Sequence, residues 1–378
     1  MKVKSFAASR HKTLDCLLKH SIMDDFKPNL AFVFSSIQMD LEVVGETFKA
    51  YPLQVFGMST CGEIFYDGKE EGIWINSTAV SLVEIDQSCF STKTFDGHDI
   101  TSADLGREIG KWGKSKFENP AFIIGICGLT TNGQAVVEGV QEICGKETTL
   151  FGGLAGDDAR FEETFVFDEN RILDLGAVVT VFDTQKTDIK GLATSGWVGI
   201  GSDKLITSAE GNVVYTIDDI PALKVYKDHL NIRDEDLPEI GVEYPLLVKK
   251  ENREILRAVI GIDREKESLI FAGTVPEGAT VTFSTSPGFE VVDHTKQDIS
   301  DFFDRHGTGS LLLLFSCMAR HKALGPIINE ELERTWEKAR VPITGFFTYG
   351  EIGNNKFSEC EFYNETFTLA VISEKKQG

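Results

Sequence analysis

An eight-residue motif occurs near both ends of this chain and limits the possible folds more than any other feature. "GMSTCGEI" occupies residues 57–64 and "GFFTYGEI" occupies residues 345–352, so both copies follow the pattern G-x-x-T-x-G-E-I. Thirteen residues after the glutamate of each copy, an Asn-x-Thr sequence opens an apolar strand, at Asn76 and at Asn364. The matched spacing on both sides favours an internal duplication over coincidence.

Each motif follows a strand-helix-strand pattern. The first unit combines 30–37, 41–51 and the strand "QVFGM", and the last combines 310–317, 328–339 and 342–347. Between them, 121–128, 132–145 and 149–153 form a similar unit, with Asn132 as the predicted helix cap and Gly145 as its stop. Such units favour parallel pairing of their two strands through a right-handed crossover.

The middle unit ends in a degenerate copy of the motif, and the region after it changes in character. "GGLAGDDA" at residues 152–159 places either Asp157 or Asp158 at the glutamate position, depending on a one-residue gap. From there to the last unit, strand-like runs alternate with Gly, Asp and Asn turns and contain few helices. The sequence therefore predicts an α/β fold of two related halves built from strand-helix-strand units, with mixed sheets and an antiparallel central portion.

Composition excludes several classes of protein. The formal charge of −21 repels nucleic-acid phosphates, so a nucleic-acid reader is not expected. The sequence shows no apolar segment of membrane-spanning length. Seven scattered cysteines without a CxxC pattern indicate neither disulfides nor a zinc site and predict a reducing cytoplasm, and the seven histidines form no metal-binding pattern.

The repeated loops place hydroxyls and carboxylates at the carboxyl ends of parallel strands, where open α/β sheets usually bind ligands. In the functional interpretation, Thr60, Glu63, Thr348 and Glu351 bind a small polar or cationic group. In the structural interpretation, they cap nearby backbone and bond to the Asn-x-Thr strand. An acidic residue follows the second glycine, so the loops are not phosphate loops.

An arginine, two cysteines and a tryptophan each have more than one possible role. Arg320 in "FSCMAR" suits bidentate capture of a ligand carboxylate, or else an ion pair with a local acid. Cys61 and Cys317 are candidate nucleophiles without a recognisable histidine partner, so a cysteine-dependent enzyme is the weaker alternative and no catalysis is expected. Trp197 is either a wall of the ligand site or a core residue.

Several of these motifs together resemble the FIST sensory domain. The resemblance rests on "FGGLAGDD", "DLGAVVTVF", "SGWVGIG", "ITSAEGNVVYTIDDIPALKVY", "FSCMARHKALG" and "ITGFFTYGEIG", in this order. It covers residues 28–373, with an N-terminal domain at 28–228 and a C-terminal domain at 229–373. The family often has a second basic residue where this chain has His321, which puts a basic pocket in question.

The resemblance implies a cytoplasmic sensory protein that binds a small ligand, an amino acid being one candidate, and that acts on a separate output partner. The implied partner is a histidine kinase or a cyclic-dinucleotide signalling protein. Some family members bind haem and respond to nitric oxide, so a haem-binding nitric oxide sensor that regulates a histidine kinase is the alternative. Haem needs an apolar slot and an axial ligand, and no histidine stands out for that role.

For the polar ligand, Arg320 is the expected anion clamp, with acidic side chains around an ammonium group. The residues predicted to bind it are Thr60, Cys61, Glu63, Asp157, Asp158, Trp197, Cys317, Arg320, Thr348, Tyr349 and Glu351.

Overall fold

Three six-stranded mixed sheets and one eight-stranded antiparallel sheet make up the fold, as seen in a computed structural model. The structure describes residues 1–22, 25–237, 239–250, 253–286, 288–355 and 360–375. This architecture confirms the predicted α/β class with mixed sheets and an antiparallel portion.

The first unit consists of eight elements. Strands and helices alternate up to the third strand, and a hairpin and a return strand follow. They are β1 (Lys2–Ala8), α1 (His11–Ser21), β2 (Leu30–Ser35), α2 (Leu41–Lys49), β3 (Gln54–Ser59), β4 (Glu63–Tyr66), β5 (Glu71–Trp74) and β6 (Thr78–Glu84). All six residues of β2 are buried because both of its faces are covered. Asp40 begins α2 by accepting hydrogen bonds from the N–H groups of Glu42 and Val43.

The second unit has the same order of elements. They are β7 (Phe90–Asp96), α3 (Ser102–Lys116), β8 (Pro120–Ile126), α4 (Gly133–Cys144), β9 (Leu150–Leu154), β10 (Val166–Phe167), β11 (Ile172–Leu173) and β12 (Gly176–Asp183). The predicted limits of α4 are confirmed: the Asn132 side chain accepts from the Ala135 N–H, and Gly145 ends the helix with a φ of 97°.

A long antiparallel insert follows the first strand of the third unit. That strand is β13 (Thr187–Thr194), and the insert consists of β14 (Val198–Glu210), β15 (Val213–Ile217), β16 (Ile220–Pro221), α5 (Ala222–Leu230), α6 (Glu239–Glu243), β17 (Leu246–Lys250), β18 (Arg253–Arg257), β19 (Val259–Asp263), β20 (Ser268–Phe271) and β21 (Thr280–Thr285). Its strands form a separate sheet in the order β18-β17-β21-β14-β15-β20-β19, with β16 beside β15.

The third unit then continues with the elements found in the other two. They are α7 (Phe289–His306), β22 (Leu311–Cys317), α8 (Met318–Leu324), α9 (Asn329–Ala339), β23 (Ile343–Thr348), β24 (Glu351–Asn354), β25 (Cys360–Tyr363) and β26 (Phe367–Glu374). The predicted parallel pairs are confirmed, because β2 pairs with β3, β8 with β9 and β22 with β23 in parallel. The sheets of the three units have the same strand order, whereas the sequence predicted two related halves.

The three units exchange hairpins in a cycle. The hairpin β4–β5 of the first unit joins the sheet of the third, the hairpin β24–β25 of the third joins the sheet of the second, and the hairpin β10–β11 of the second joins the sheet of the first. Each borrowed strand runs antiparallel to the second strand of the parallel pair. Each mixed sheet is therefore completed by residues from a different unit.

The inner faces of the three sheets share one apolar core. Phe34 of β2 lies 4.7 Å from Phe346 of β23 and 6.3 Å from Phe315 of β22, measured between ring centroids. Ile123 and Phe151 of the second unit belong to the same buried cluster. Separate apolar clusters lie between the outer faces of the sheets and their helices, so each sheet is buried on both sides.

The first glycine of the repeated motif is required by close packing. A Cβ atom on Gly57 would lie 2.1 Å from the ring of Phe167 in the borrowed hairpin, and one on Gly345 would lie 2.2 Å from the carbonyl oxygen of Leu314. The second glycine of the first copy, Gly62, has a φ of +115°, which residues with a side chain rarely adopt.

We predict that Gly57→Ala lowers the free energy of unfolding by about 1–3 kcal/mol, because the added methyl group overpacks a buried contact. Gly45 in α2 is the matched control, since a Cβ there has open space within 4 Å. Gly45→Ala is expected to stabilise the protein by about 0.5–1 kcal/mol. Urea unfolding of both variants measures the difference, and equal stability of the two would contradict the packing argument.

Candidate functional site

The turns after β3, β9 and β23 meet at one place, which we call the three-loop junction (residues 59–63, 154–158 and 347–351). The Cys61 N–H donates to the Phe347 carbonyl oxygen at 3.0 Å, the Asp158 N–H to Thr60 O at 2.8 Å, and the Tyr349 N–H to Leu154 O at 3.3 Å. The Thr60 and Thr348 loops are thus in direct contact.

Glu63 is fully buried in this junction, and protein hydroxyls satisfy its carboxylate. The hydroxyls of Thr60 and Ser77 each donate to one of its oxygens. Burial raises the pKa of Glu63 to about 8, although these hydrogen bonds act in the opposite direction.

Glu351 has the same environment in the third unit. Its carboxylate accepts from the Thr348 hydroxyl at 2.5 Å, and from the Thr366 hydroxyl and N–H at 2.8 and 3.1 Å. Burial raises its pKa to about 7. In this structure both motif glutamates bond to their own threonine and to the following strand, as the structural interpretation predicted.

Neither aspartate of the middle unit occupies the strand position of the motif glutamates. Glu63 and Glu351 are the first residues of the hairpins β4–β5 and β24–β25, and the first residue of the equivalent hairpin β10–β11 is Val166. Asp158 lies in the longer turn between β9 and β10, where it accepts a hydrogen bond from the Ser36 hydroxyl at 2.8 Å, and burial raises its pKa.

Asp157 has a structural role in the same loop. It is fully buried and accepts hydrogen bonds from the N–H groups of Arg160, Phe161, Glu162 and Glu163 and from the hydroxyl of Tyr349. Phe161 covers Tyr349, with its ring stacked at 4.7 Å. These contacts leave the Asp157 carboxylate surrounded by protein donors.

Arg320 differs from the predicted carboxylate clamp, because protein acceptors already occupy its guanidinium group. It is fully buried and forms a bidentate ion pair with Glu331, which is also fully buried. Its remaining N–H groups donate to Ser195 O, Glu365 O and the Thr295 hydroxyl. The alternative of an ion pair with a local acid is the one that the structure shows.

Trp197 packs against this ion pair. Its ring lies 5.0 Å from the guanidinium carbon of Arg320, and the side chain is buried. The indole N–H is buried and has no hydrogen-bond partner. Trp197 is thus both a core residue and a candidate donor.

The two candidate nucleophiles are poorly placed for catalysis. Burial raises the pKa of the Cys61 thiol to about 12 and that of Cys317 well above its ordinary value. Reactive cysteines need a lowered pKa, so neither thiol has the environment of an activated nucleophile.

The sequence analysis missed Glu365. The Ser36 N–H donates to Ser77 O at 2.9 Å and the Cys317 N–H to Thr366 O at 3.0 Å, so the residues before Ser77 and Thr366 are equivalent. The equivalent of Asn76 is thus Glu365, and the spacing of thirteen residues that matched Asn364 to Asn76 was wrong by one position. Alignment of the third unit with the first by strand register places Glu365 where the first unit has Asn76.

Glu365 is fully buried, and neither of its carboxylate oxygens has a hydrogen-bond partner among the described residues. The backbone φ is 58°, as it is 52° at Asn76, but asparagine tolerates this left-handed conformation much better than glutamate. The Oδ1 atom of the neighbouring Asn364 is also buried without a partner. Burial, with a contribution from Glu351, raises the pKa of Glu365 well above its ordinary value.

Family comparisons agree with this organisation. The FIST N domain model matches residues 29–220 and the FIST C domain model matches residues 222–354, so the chain belongs to the FIST family. FIST domains are generally sensory domains that bind small ligands in signal transduction. A comparison with curated proteins gives no match.

The described residues contain neither a membrane-spanning helix nor a metal-binding cluster. No helix within the described ranges is long and apolar enough to cross a membrane. In the same part of the chain, no group of three or more His, Cys, Asp or Glu side chains is arranged to hold a metal ion.

We predict that stability falls as pH rises from about 5 to 8, and that Glu63→Gln reduces this fall. The folded-state pKa of Glu63, about 8, lies above the unfolded value near 4.5. The folded state therefore holds the proton longer, and stability is greatest below the unfolded pKa and is lost as pH rises through the folded one. The effect is of the order of a few kcal/mol.

Chemical denaturation across this pH range measures the slope. Glu46→Gln is the control, because Glu46 is exposed on α2. If both variants keep the wild-type slope, Glu63 does not titrate as its burial implies.

We further predict that Arg320→Met lowers the free energy of unfolding by about 3–5 kcal/mol, since it leaves Glu331 buried without its cation. The double variant Arg320→Met with Glu331→Leu is expected to recover most of this loss. Urea unfolding compares the two, and a single variant as stable as the double one would show that the pair is not coupled.

Proposed function

We propose that this FIST protein is a cytoplasmic sensor whose small polar ligand binds beside Glu365 and carries an amine, an amino acid being the first candidate. The ligand signal passes to a separate partner. The observation that carries this proposal is the carboxyl group of Glu365, which is buried, unpartnered and held in a left-handed conformation.

The unpartnered buried carboxyl group and the left-handed backbone of Glu365 both lower the free energy of unfolding. Burying a polar group without a hydrogen bond costs roughly 1–3 kcal/mol, and a left-handed backbone at a residue with a long side chain adds strain of the order of 1 kcal/mol. The equivalent loop of the first unit avoids both costs with the exposed Asn76. A glutamate here is best explained by a group that bonds to it in another state of the protein.

The surroundings of Glu365 favour a ligand that donates hydrogen bonds. Glu351 and Cys317 lie close enough to interact electrostatically with it. An ammonium group supplies the charge and the donors that these acidic neighbours lack. Arg320, one of the predicted ligand residues, donates to the carbonyl oxygen of Glu365 and lowers the pKa of its carboxyl group only in part, and Trp197 lies against Arg320.

Burial of the carboxyl group couples binding to a conformational change. Glu365 is inaccessible in this structure, so a ligand can reach it only if the surrounding segments open. A ligand that binds one conformation preferentially shifts the population towards it, which is the property a sensor requires.

The output partner is proposed to be a histidine kinase or a cyclic-dinucleotide signalling protein. The net charge of −21 favours docking on a basic surface of that partner. All seven cysteines are free thiols, which supports the proposed cytoplasmic location.

A haem site has less support among the residues that the structure describes. His321 is half-buried, but its ring stacks on Phe347 at 4.1 Å. The cavity beside His306 and Phe302 measures about 20 Å³, which is enough for about one water molecule. Both histidine rings pack against phenylalanine rings, and no step of the proposal depends on haem.

The test is a thermal-shift screen of the twenty amino acids against wild type and Glu365→Asn. A bound amino acid at about one hundred times its Kd stabilises wild type by roughly 2.7 kcal/mol. Glu365→Asn is expected to raise the melting temperature without ligand, because it removes strain and an unpartnered carboxyl group, and to lose the response. Asn76→Gly, at the equivalent exposed turn, is expected to keep it.

Two results would contradict the proposal. One is a ligand response that survives in Glu365→Asn, and the other is no response of wild type to any amine or amino acid. A Soret band that appears with hemin and shifts on reduction and on addition of nitric oxide would favour the haem sensor instead.

A further inference from the structure

Strand β5 forms a free edge of the third sheet. It pairs with β4 on one side and ends the strand order β13-β26-β22-β23-β4-β5. Alternate residues of an edge strand direct their N–H and C=O groups away from the neighbouring strand. Among the described residues, the backbone of 71–75 forms no hydrogen bond apart from those between β5 and β4. This edge can therefore accept another strand.

A groove of about 510 Å³ lies between the hairpin β4–β5 and α9, and we call it the β5–α9 groove. It is lined by Tyr66, Gly68, Glu71, Glu333, Trp336, Glu337 and Arg340. The rings of Tyr66 and Trp336 stack with their centroids 6.2 Å apart, and Ile73 of β5 packs in the same apolar cluster as both rings. Because alternate side chains of a strand share a face, Glu71 and Ile73 both lie on the α9 side of β5.

The β5–α9 groove is negatively charged. Its lining residues include three glutamates and one arginine, which gives a formal charge of −2. Glu71 and Glu333 are exposed, and neither forms an ion pair within the part of the chain that the structure describes. Trp336 and Glu337 lie in the last turn of α9, where the helix dipole is negative. The side chains and the helix end thus both favour a cation.

We propose that the β5–α9 groove binds an extended, basic segment of a partner protein. The segment adds to the edge of β5 as a strand and directs a lysine or arginine side chain towards Glu71 and Glu333. In this mode of recognition the main-chain hydrogen bonds supply affinity, and the alternate side chains supply specificity.

Charge decides between a partner protein and a second copy of this chain. Two copies, each with a net charge of −21, repel one another, and pairing of their β5 edges would bring acidic grooves together. A basic segment has the complementary charge. The inference concerns where a partner docks, and it does not depend on Glu365 or on the ligand proposed for it.

The experiment uses a fluorescein-labelled peptide in which valine and lysine alternate over six residues, so that all lysines lie on one side of an extended strand. Fluorescence anisotropy with the full chain is expected to show saturable binding that weakens as salt is added. A peptide with glutamate in place of lysine is expected not to bind. The lysine peptide with methyl groups on its backbone nitrogens keeps the charge but lacks the N–H donors, and it is expected to bind about tenfold more weakly or less.

Charge reversal in the protein tests the position of the site. Glu71→Lys with Glu333→Lys is expected to weaken binding of the lysine peptide by about tenfold or more, because it replaces attraction with repulsion. Glu46→Lys with Glu108→Lys is the matched control, since it changes the net charge equally at two exposed glutamates that do not line the groove. This control is expected to stay within about twofold of wild type. Melting temperatures check that all variants are folded.

Hydrogen exchange measured by mass spectrometry locates the bound peptide. Amide exchange in β5 is expected to slow when the lysine peptide binds. Strand β1, which ends the strand order of another sheet, is the internal control and is expected to exchange at an unchanged rate.

Five results would overturn the inference. They are the absence of saturable binding of the lysine peptide, undiminished binding by the groove variant, an equal loss in the matched control, undiminished binding of the N-methylated peptide, and protection of amides outside β5 alone. A dimer of the chain with protected β5 amides in the absence of peptide would also overturn it, because a second copy would then occupy the edge. None of these measurements involves Glu365, so their failure leaves the proposed function standing.

Discussion

The exchange of hairpins between the three units is the constraint on which the rest of the structure depends. Each parallel pair of strands is completed by a strand from another unit, such as β4 beside β23. This exchange brings the turns after β3, β9 and β23 into backbone contact. The acidic side chains Glu63, Glu351 and Asp158 of these turns are then buried or half-buried.

The buried polar groups of this protein differ in how far other protein groups satisfy them. Glu63, Glu351 and Asp157 are bonded to hydroxyl and N–H groups of their own surroundings, and Arg320 is bonded to Glu331. These groups hold the turns and helices together. The carboxylate of Glu365, by contrast, has no hydrogen-bond partner among the described residues.

Local patterns predicted local structure well. Apolar runs and caps located the three strand-helix-strand units, and the two motif copies identified equivalent turns. These features could be predicted because strand burial and glycine geometry depend on residues that are close in the sequence. Which sheet a hairpin joins is decided by contacts far apart in the sequence, and no local pattern predicted it.

The candidate site was harder to predict for the same reason. The sequence contains many acidic residues that could pair with Arg320. Its partner is Glu331 because of where α9 packs, which the sequence pattern does not show. The matched spacing assigned Asn364 to the position of Asn76, whereas strand register assigns Glu365 to it.

The hairpin exchange also determines how this chain can be assembled during synthesis. The hairpin β4–β5 leaves the ribosome long before its partner strand β23, which lies near the other end of the chain. Its edges stay unpaired until most of the protein has been synthesised. Contacts between residues so distant in sequence slow folding, and unpaired strand edges promote aggregation. The two family domains are thus interlocked, and a cut at their boundary separates strands that belong to one sheet.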